Sequence, residues 1–295
     1  MIQLLKYLLL IKTLLEQLVT GNITGLLQVF KSSLNTVQKD IAALLMPYMV
    51  DGKLNVPLKQ RGKLIKQLDK TLREQANVIG KKDIEVTSKI LNQSATESYY
   101  RTGFLLEAGL DEAIKLNPLK ANELRAIVNT PIHEDMFSDR IWKNKAKLVK
   151  QVRYSFEQAM INGTDPRKLA KEVQRTFNVS AYESRRLINN EVARVSRQAQ
   201  DQVYEQAGVK EVMFDATLDK KTSHFCREHD GQFYKFGEHP KIPEETHVQC
   251  RSDIIPIVDG WKPRVKRENI KNEDGVKPII DYSNYSQWMK DKGFN

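Results

Sequence analysis

An α+β protein is the fold class this sequence predicts: a long, mostly helical N-terminal part followed by a compact module of helices plus a small antiparallel sheet. Apolar residues recur at helical spacing through most of the chain up to about residue 208. After Gly208 the pattern changes to short β-prone runs at 211–217, 232–236 and 252–258, separated by polar turns containing Asp-Gly, Pro and Gly. The chain has 295 residues, 28% of them charged and 40% hydrophobic, which suits two domains of an ordinary soluble protein rather than a disordered or membrane one.

The first twenty residues are apolar enough to suggest an anchor, but Lys6, Lys12 and Glu16 interrupt them and no small-residue cleavage motif follows. A packing helix without a membrane anchor is therefore expected. Leu4, Leu8, Ile11, Leu15 and Leu18 step by 4, 3, 4 and 3, the spacing of a coiled-coil seam. A helix lying on a membrane surface is the alternative.

Punctuation is clearest in the middle of the chain. Gly163 closes one helix, Thr164-Asp165-Pro166 opens the next, and Ser180-x-x-Glu183 reads as a capping box for a third, giving helices at about 141–162, 166–176 and 181–207. In the first, Trp142, Val149, Val152 and Phe156 form the apolar stripe while Lys143, Lys147 and Lys150 lie on another face. In the third, Ile188, Val192, Val195, Ala199 and Val203 form the stripe, with Arg186, Asn190, Arg194 and Arg197 roughly opposite.

Charge is concentrated in the same stretch. Of a net +10, the segment from Arg140 to Arg197 carries +9, from fourteen Lys/Arg against five acids. Such a patch is the footprint expected for a nucleic-acid backbone, with Lys143, Lys147, Lys150, Arg186, Arg194 and Arg197 as phosphate contacts; a solvated helix face is the plainer reading. Glu191 sits at the edge of the buried stripe, where its charge needs a partner. It is expected to clamp the helix to the Cys/His loop that follows.

That loop holds four of the five histidines and both cysteines in 27 residues, His224 to Cys250. Two cysteines do not make a disulfide framework, which favours an intracellular or virion-type environment. Cys226-x-x-His229 and His247-x-x-Cys250 offer four ligands of the kind a structural Zn²⁺ takes, and the ion would staple the loop. The plainer reading has two small buried cysteines, a backbone-bonded His247 and exposed histidines at 224, 229 and 239. A third reading, a histidine-metal nuclease centre or a Cys226–His nucleophile, needs a fixed geometry that the spacing does not provide.

Several of these segments resemble, in order, the Mu F-like head morphogenesis family. They are FSDRIW (Phe137–Trp142), a basic helix ending in glycine, RRLINNEVARVSRQAQ (Arg185–Gln200), then LDKKTSHFCREHDGQFY (Leu218–Tyr234) and PEETHVQCR (Pro243–Arg251). The most specific part is the pattern set by Asp219, Thr222, Cys226, Asp230, Gly231, Pro243, His247, Cys250 and Arg251. The resemblance spans about residues 95 to 258. It implies a minor head protein of a tailed bacteriophage, present in a few copies inside the capsid near the portal and in the host cytoplasm during assembly. Its implied partners are the portal protein, double-stranded genomic DNA and other head proteins, in head assembly, DNA packaging or ejection. No enzymatic activity is implied.

Asn190, Glu191, Asp219, Thr222, Asp230, Gly231 and Arg251 are expected to be structural. Asn190 stands where relatives have threonine, and His229 and Ser252 stand where they often have cysteine. The expected organisation is a helical head-protein-interaction region at 1–130, the Mu F-like module at 131–260 and a charged tail at 261–295. Relatives can carry transferase or toxin domains, but the 37 residues after Val258 are too few to fold as one. A tail of this composition is expected to order only against a partner or the body of its own protein.

Overall fold

A computed structural model of the chain describes residues 2–51, 53–109, 116–258 and 263–293, with the side chains of 2–9 and 108–109 outside the description. The fold is α+β, as predicted. Its elements are helices α1 (Ile2–Leu45), α2 (Leu58–Gly109), α3 (Ala121–Val128), α4 (Phe137–Asn162), α5 (Pro166–Gln206), α6 (His224–His229) and α7 (Tyr285–Asp291), and strands β1 (Met49–Val50), β2 (Lys53–Leu54), β3 (Glu211–Asp215), β4 (Phe233–Lys235), β5 (Asp253–Ile257), β6 (Val265–Arg267) and β7 (Ile279–Asp281). The chain forms two compact units. A mixed unit comprises Met1–Leu18, Leu91–Val128 and Asn189–Asn295; a helical unit comprises Val19–Ile90 and Asn129–Ile188.

In the helical unit, α1 buries Ile23, Leu26, Phe30, Leu34, Val37, Ile41 and Leu45, stepping by 3, 4, 4, 3, 4 and 4. That eleven-residue repeat follows the natural helix period more closely than a heptad does. The heptad seam expected from the first twenty residues is buried at Ile11 and Leu15, but the next buried position is Val19 and not Leu18; Leu4 and Leu8 lie outside the described side chains. Among the described residues no helix is long and apolar enough to cross a membrane.

Helix α4 begins four residues before the predicted start, because Asp139 Oδ2 accepts a bond from the Met136 N–H at 3.0 Å and closes its first turn. Gly163 ends it in the left-handed conformation, φ 62°, and Pro166 opens α5 as expected. The buried stripe of α4 is Phe137, Ile141, Lys145, Leu148, Val152 and Phe156. Trp142 lies off it at 39% exposed, with its ring against Gly80.

The break expected at Ser180 is absent, and α5 runs unbroken from Pro166 to Gln206. Ser180 is buried inside the helix and its carbonyl accepts from Ser184 Oγ at 3.2 Å. Its own hydroxyl is turned to Asn144 Oδ1 on α4, at 3.5 Å, and caps nothing, and no Gly or Pro nearby forces a stop.

The centre of the helical unit holds charge. Lys145 Nζ lies 2.9 Å from Asp83 Oδ2, both essentially inaccessible to water. Ser184 Oγ donates to Asp83 at 2.6 Å and accepts from Lys145 at 2.7 Å. The ammonium also lies 4.6 Å from the centre of the Phe30 ring. Burial lowers the Lys145 pKa, and the Asp83 charge opposes that shift.

The mixed unit is built around an antiparallel sheet of order β4-β3-β5, close to the three predicted runs. β3 is central, with Val212, Met213 and Phe214 buried, and β5 sits at an edge, where Pro256 costs no ladder bond to a further strand. Here α5 buries the predicted Val192, Val195, Ala199 and Val203, but also Asn190, Glu191, Arg194, Arg197 and Gln200; the predicted Ile188, buried as well, is the last residue of the helical unit.

Candidate functional site

The Cys/His segment starts from β3. After Asp215 the chain turns through Leu218 and Asp219, and Ser223 caps α6 by accepting from the Cys226 N–H at 3.3 Å. The short helix α6 was not foreseen in the loop. It places Cys226 inward, buried, while the second pair arrives from the turn before β5, where the Cys250 N–H bonds the His247 carbonyl at 3.1 Å. Gln249 adopts φ 62°, and its N–H donates to Asn190 Oδ1 at 3.2 Å. Asn190, on α5, thus props a strained turn beside Cys250.

One atom each of Cys226, His247 and Cys250 converges, all within 4.8 Å of one another. His229 does not join them. Its ring stacks on Phe225 with centroids 3.9 Å apart, and its Nδ1 lies 2.8 Å from the Phe225 carbonyl. Of the four residues expected as ligands, Cys226, His247 and Cys250 are brought together and His229 is not: stacking and a backbone bond turn it away, although its spacing alone would suit a ligand. The two sulfurs are 3.6 Å apart. The Cys226 thiol, hydrogen-bonded to Cys250, is pushed up, and Cys250 at the receiving end of that bond is held down to about 5.

The remaining histidines scatter. His224 is exposed beside Glu228 at 3.1 Å, and His239 is buried near Phe236 with its Nε2 4.0 Å from Asp201. The convergence that a histidine nuclease centre requires is not formed by these side chains.

The other motif residues make two carboxylate hubs. Asp219 receives both Arg251 guanidinium nitrogens, the Lys221 N–H at 2.9 Å, the Thr222 hydroxyl at 3.2 Å and Asn269 Nδ2 at 2.6 Å. Thr222 also bonds the Thr217 carbonyl. Asp230 accepts from the Ala216 N–H at 2.7 Å, the Tyr285 N–H at 2.6 Å and Lys266 Nζ at 2.7 and 2.9 Å. Burial pushes the Asp230 carboxyl up, with Lys266 opposing. Gly231 takes φ 79°, a conformation that favours glycine, so that its N–H reaches the Phe214 carbonyl at 2.8 Å.

These hubs order the tail against its own protein. Leu218, Tyr285 and Trp288 form a buried cluster, and Trp288 Nε1 donates to buried Glu268 at 2.8 Å. Lys266, Glu268, Asn269 and Tyr285 were missed from the sequence; the scattered tail aromatics were the one signal for them. Trp261 lies outside the described residues.

Burial pushes the Asp219 carboxyl up, but hydrogen bonds from Arg251 and Asn269 and the Arg251 charge outweigh it and hold it down to about 2. A carboxylate held below its unfolded value stabilises the fold above that value and loses the effect as pH falls through the folded one. Between about pH 4 and pH 2 the wild type is therefore expected to lose about 1–2 kcal/mol that Asp219→Asn does not lose, after discounting for solvent screening. Urea melts of both proteins across that range check this, and parallel profiles would sink it.

The six expected phosphate contacts divide. On α4, Lys147 and Lys150 are exposed, and Lys143 is exposed while bonded to Asp135 at 2.7 Å. Arg186 is half-buried, 4.0 Å from Glu183. Arg194 and Arg197 are corrected: they are 1% and 5% exposed and cannot reach a phosphate backbone. Arg194 binds Glu191 at 2.9 Å and the carbonyls of Ile127 and Val128 at 2.7 and 3.0 Å; Arg197 pairs with Asp201 at 2.9 Å and bonds the Ile254 carbonyl at 2.9 Å. The Glu191 clamp thus runs through Arg194 to the end of α3, and it is the neighbouring Asn190 that reaches the Cys/His loop. Alongside the exposed lysines, Trp142, Val149, Lys150, Arg153 and Tyr154 line an open cleft of about 640 Å³.

Residues 150–255 match the family model described as Phage Mu protein F like protein, so the resemblance is borne out over that span. The chain is 23% identical to NAD(+)--arginine ADP-ribosyltransferase EFV of Enterococcus faecalis over 218 residues, 68% of this chain and 43% of that protein. An uncharacterized protein of Haemophilus influenzae is 21% identical over 149 residues, 50% of this chain and 32% of its own length. The chain spans less than half the length of these curated relatives. No solved structure matches it.

Proposed function

We propose that this protein is a minor head protein of a tailed bacteriophage, located in the virion near the portal, that binds double-stranded genomic DNA without sequence preference and contacts the portal and other head proteins during assembly, packaging or ejection. The observation that carries the reading is the match of residues 150–255 to the Phage Mu protein F like family. Lys143, Lys147 and Lys150 support its DNA-binding part, since they follow one another at i, i+4 and i+7 on the exposed side of α4. Arg186 adds a half-exposed cation.

Binding of this kind works by counterion release. Each phosphate neutralised contributes about 0.9 to the slope of log affinity against log salt. Reversing Lys143, Lys147 and Lys150 to glutamate is therefore expected to weaken retention of a DNA duplex at least tenfold at moderate salt and to flatten that slope by about 2–3. Retention and slope unchanged from wild type would remove the DNA part of the proposal. The same mixtures with plasmid and Mg²⁺, Mn²⁺ or Zn²⁺ separate this reading from a metal-dependent nuclease: retardation without cleavage is expected. A purely structural scaffold would leave DNA mobility unaltered.

A further inference from the structure

We propose that Cys226, His247 and Cys250 hold a single Zn²⁺ ion, with a solvent molecule at the fourth position, and that the ion fastens α6 to the turn before β5.

Two distant pieces of chain bring these donors together. Cys226 comes from the first turns of α6, and His247 and Cys250 from a turn whose Gln249 carries φ 62°. The sulfurs are in hydrogen-bond contact and not joined, at a separation that a shared zinc also accepts. Thiolates bound at about 2.3 Å to a tetrahedral zinc stand about 3.8 Å apart, whereas bonded disulfide sulfurs are about 2.05 Å apart. The observed 3.6 Å is close to the first.

Two soft sulfurs and an imidazole favour zinc over magnesium or calcium, which take oxygen donors. His247 is only half-buried, which leaves a path for the ion and room for a water ligand. His229, the residue that sequence spacing nominates as fourth ligand, is committed to the Phe225 ring and carbonyl.

The test is zinc content of the full-length protein after dialysis, read by elemental analysis together with thiol counting. One zinc per chain is expected in wild type and in His229→Ala. Less than a tenth of that is expected in Cys226→Ser and Cys250→Ser, and an affinity at least tenfold weaker in His247→Ala. If the serine variants do not fold, cobalt loading of the wild type decides: tetrahedral d–d bands and a thiolate-to-cobalt charge-transfer band are expected. Wild type taking up neither zinc nor cobalt, whether its thiols are free or joined as a disulfide, overturns the proposal. His229→Ala losing the metal as fully as His247→Ala overturns the ligand set.

Discussion

Asp83→Ala is expected to cost about 3–5 kcal/mol of stability, because it leaves Lys145 charged and enclosed with no counter-ion. The ammonium keeps the Ser184 oxygen at 2.7 Å and the Phe30 face, neither of which neutralises it. Thr87, whose hydroxyl donates to Asp83 at 3.4 Å, loses its acceptor as well. Removing both charges has a different consequence. Asp83→Leu with Lys145→Met exchanges a desolvated pair for apolar volume, and such exchanges are often neutral or favourable, so the double variant is expected to recover most of the loss. Urea melts of the three proteins measure both effects. A single variant within about 1 kcal/mol of wild type would show that water reaches Lys145 after all.

That pair also shows where reading a sequence stops. Lys145 belongs to the basic run of α4, and nothing in its neighbours marks it as the charge turned inward; its partner lies 62 positions earlier. Arg194 and Arg197 were read as surface for the same reason. Helical spacing placed them opposite an apolar stripe, but other segments of the mixed unit cover that side, and the carbonyls they bind belong to residues 127, 128 and 254. Periodicity reports one helix's own faces, not how many are covered. Where the cause is local, the reading was sound. Gly163 and Pro166 act through their own backbone dihedrals, and the three strand runs after Gly208 alternate with turn residues.

The Cys/His segment was legible in part. Three of four expected ligands converge, because a turn and a capped helix are local devices. The position of His229 depends on which way a ring turns once Phe225 lies beside it, and spacing carries no information on that. Asp219 and Asp230, two of the residues expected to be structural, each gather hydrogen bonds from several segments. What the pattern could not reveal was that some of the donors to each, Asn269 or Lys266 and Tyr285, sit in the charged tail.

Glu191→Gln separates a clamp from a reacting group. The substitution keeps the side-chain shape and removes the charge facing Arg194, a guanidinium 1% exposed to water. The remaining acceptors of that guanidinium are neutral: the Ile127 and Val128 carbonyls and Gln198 Oε1 at 3.0 Å. Ile127 and Val128 end α3, so Arg194 meets carbonyls that the helix itself leaves open, at the negative end of its dipole. Weakening the Arg194 anchor therefore loosens α3 as well as α5. A loss of about 2–4 kcal/mol is expected, the range for a buried charge whose partner has been neutralised. Amide exchange should quicken first in residues 121–128. Arg194→Met removes the cation facing the Glu191 carboxylate and the donor to both carbonyls, so it is expected to be at least as damaging. The fraction of Glu191→Gln that stays folded should retain DNA as wild type does, since neither residue faces solvent. A protein as stable as wild type that had lost activity would instead make Glu191 a group acting on a ligand.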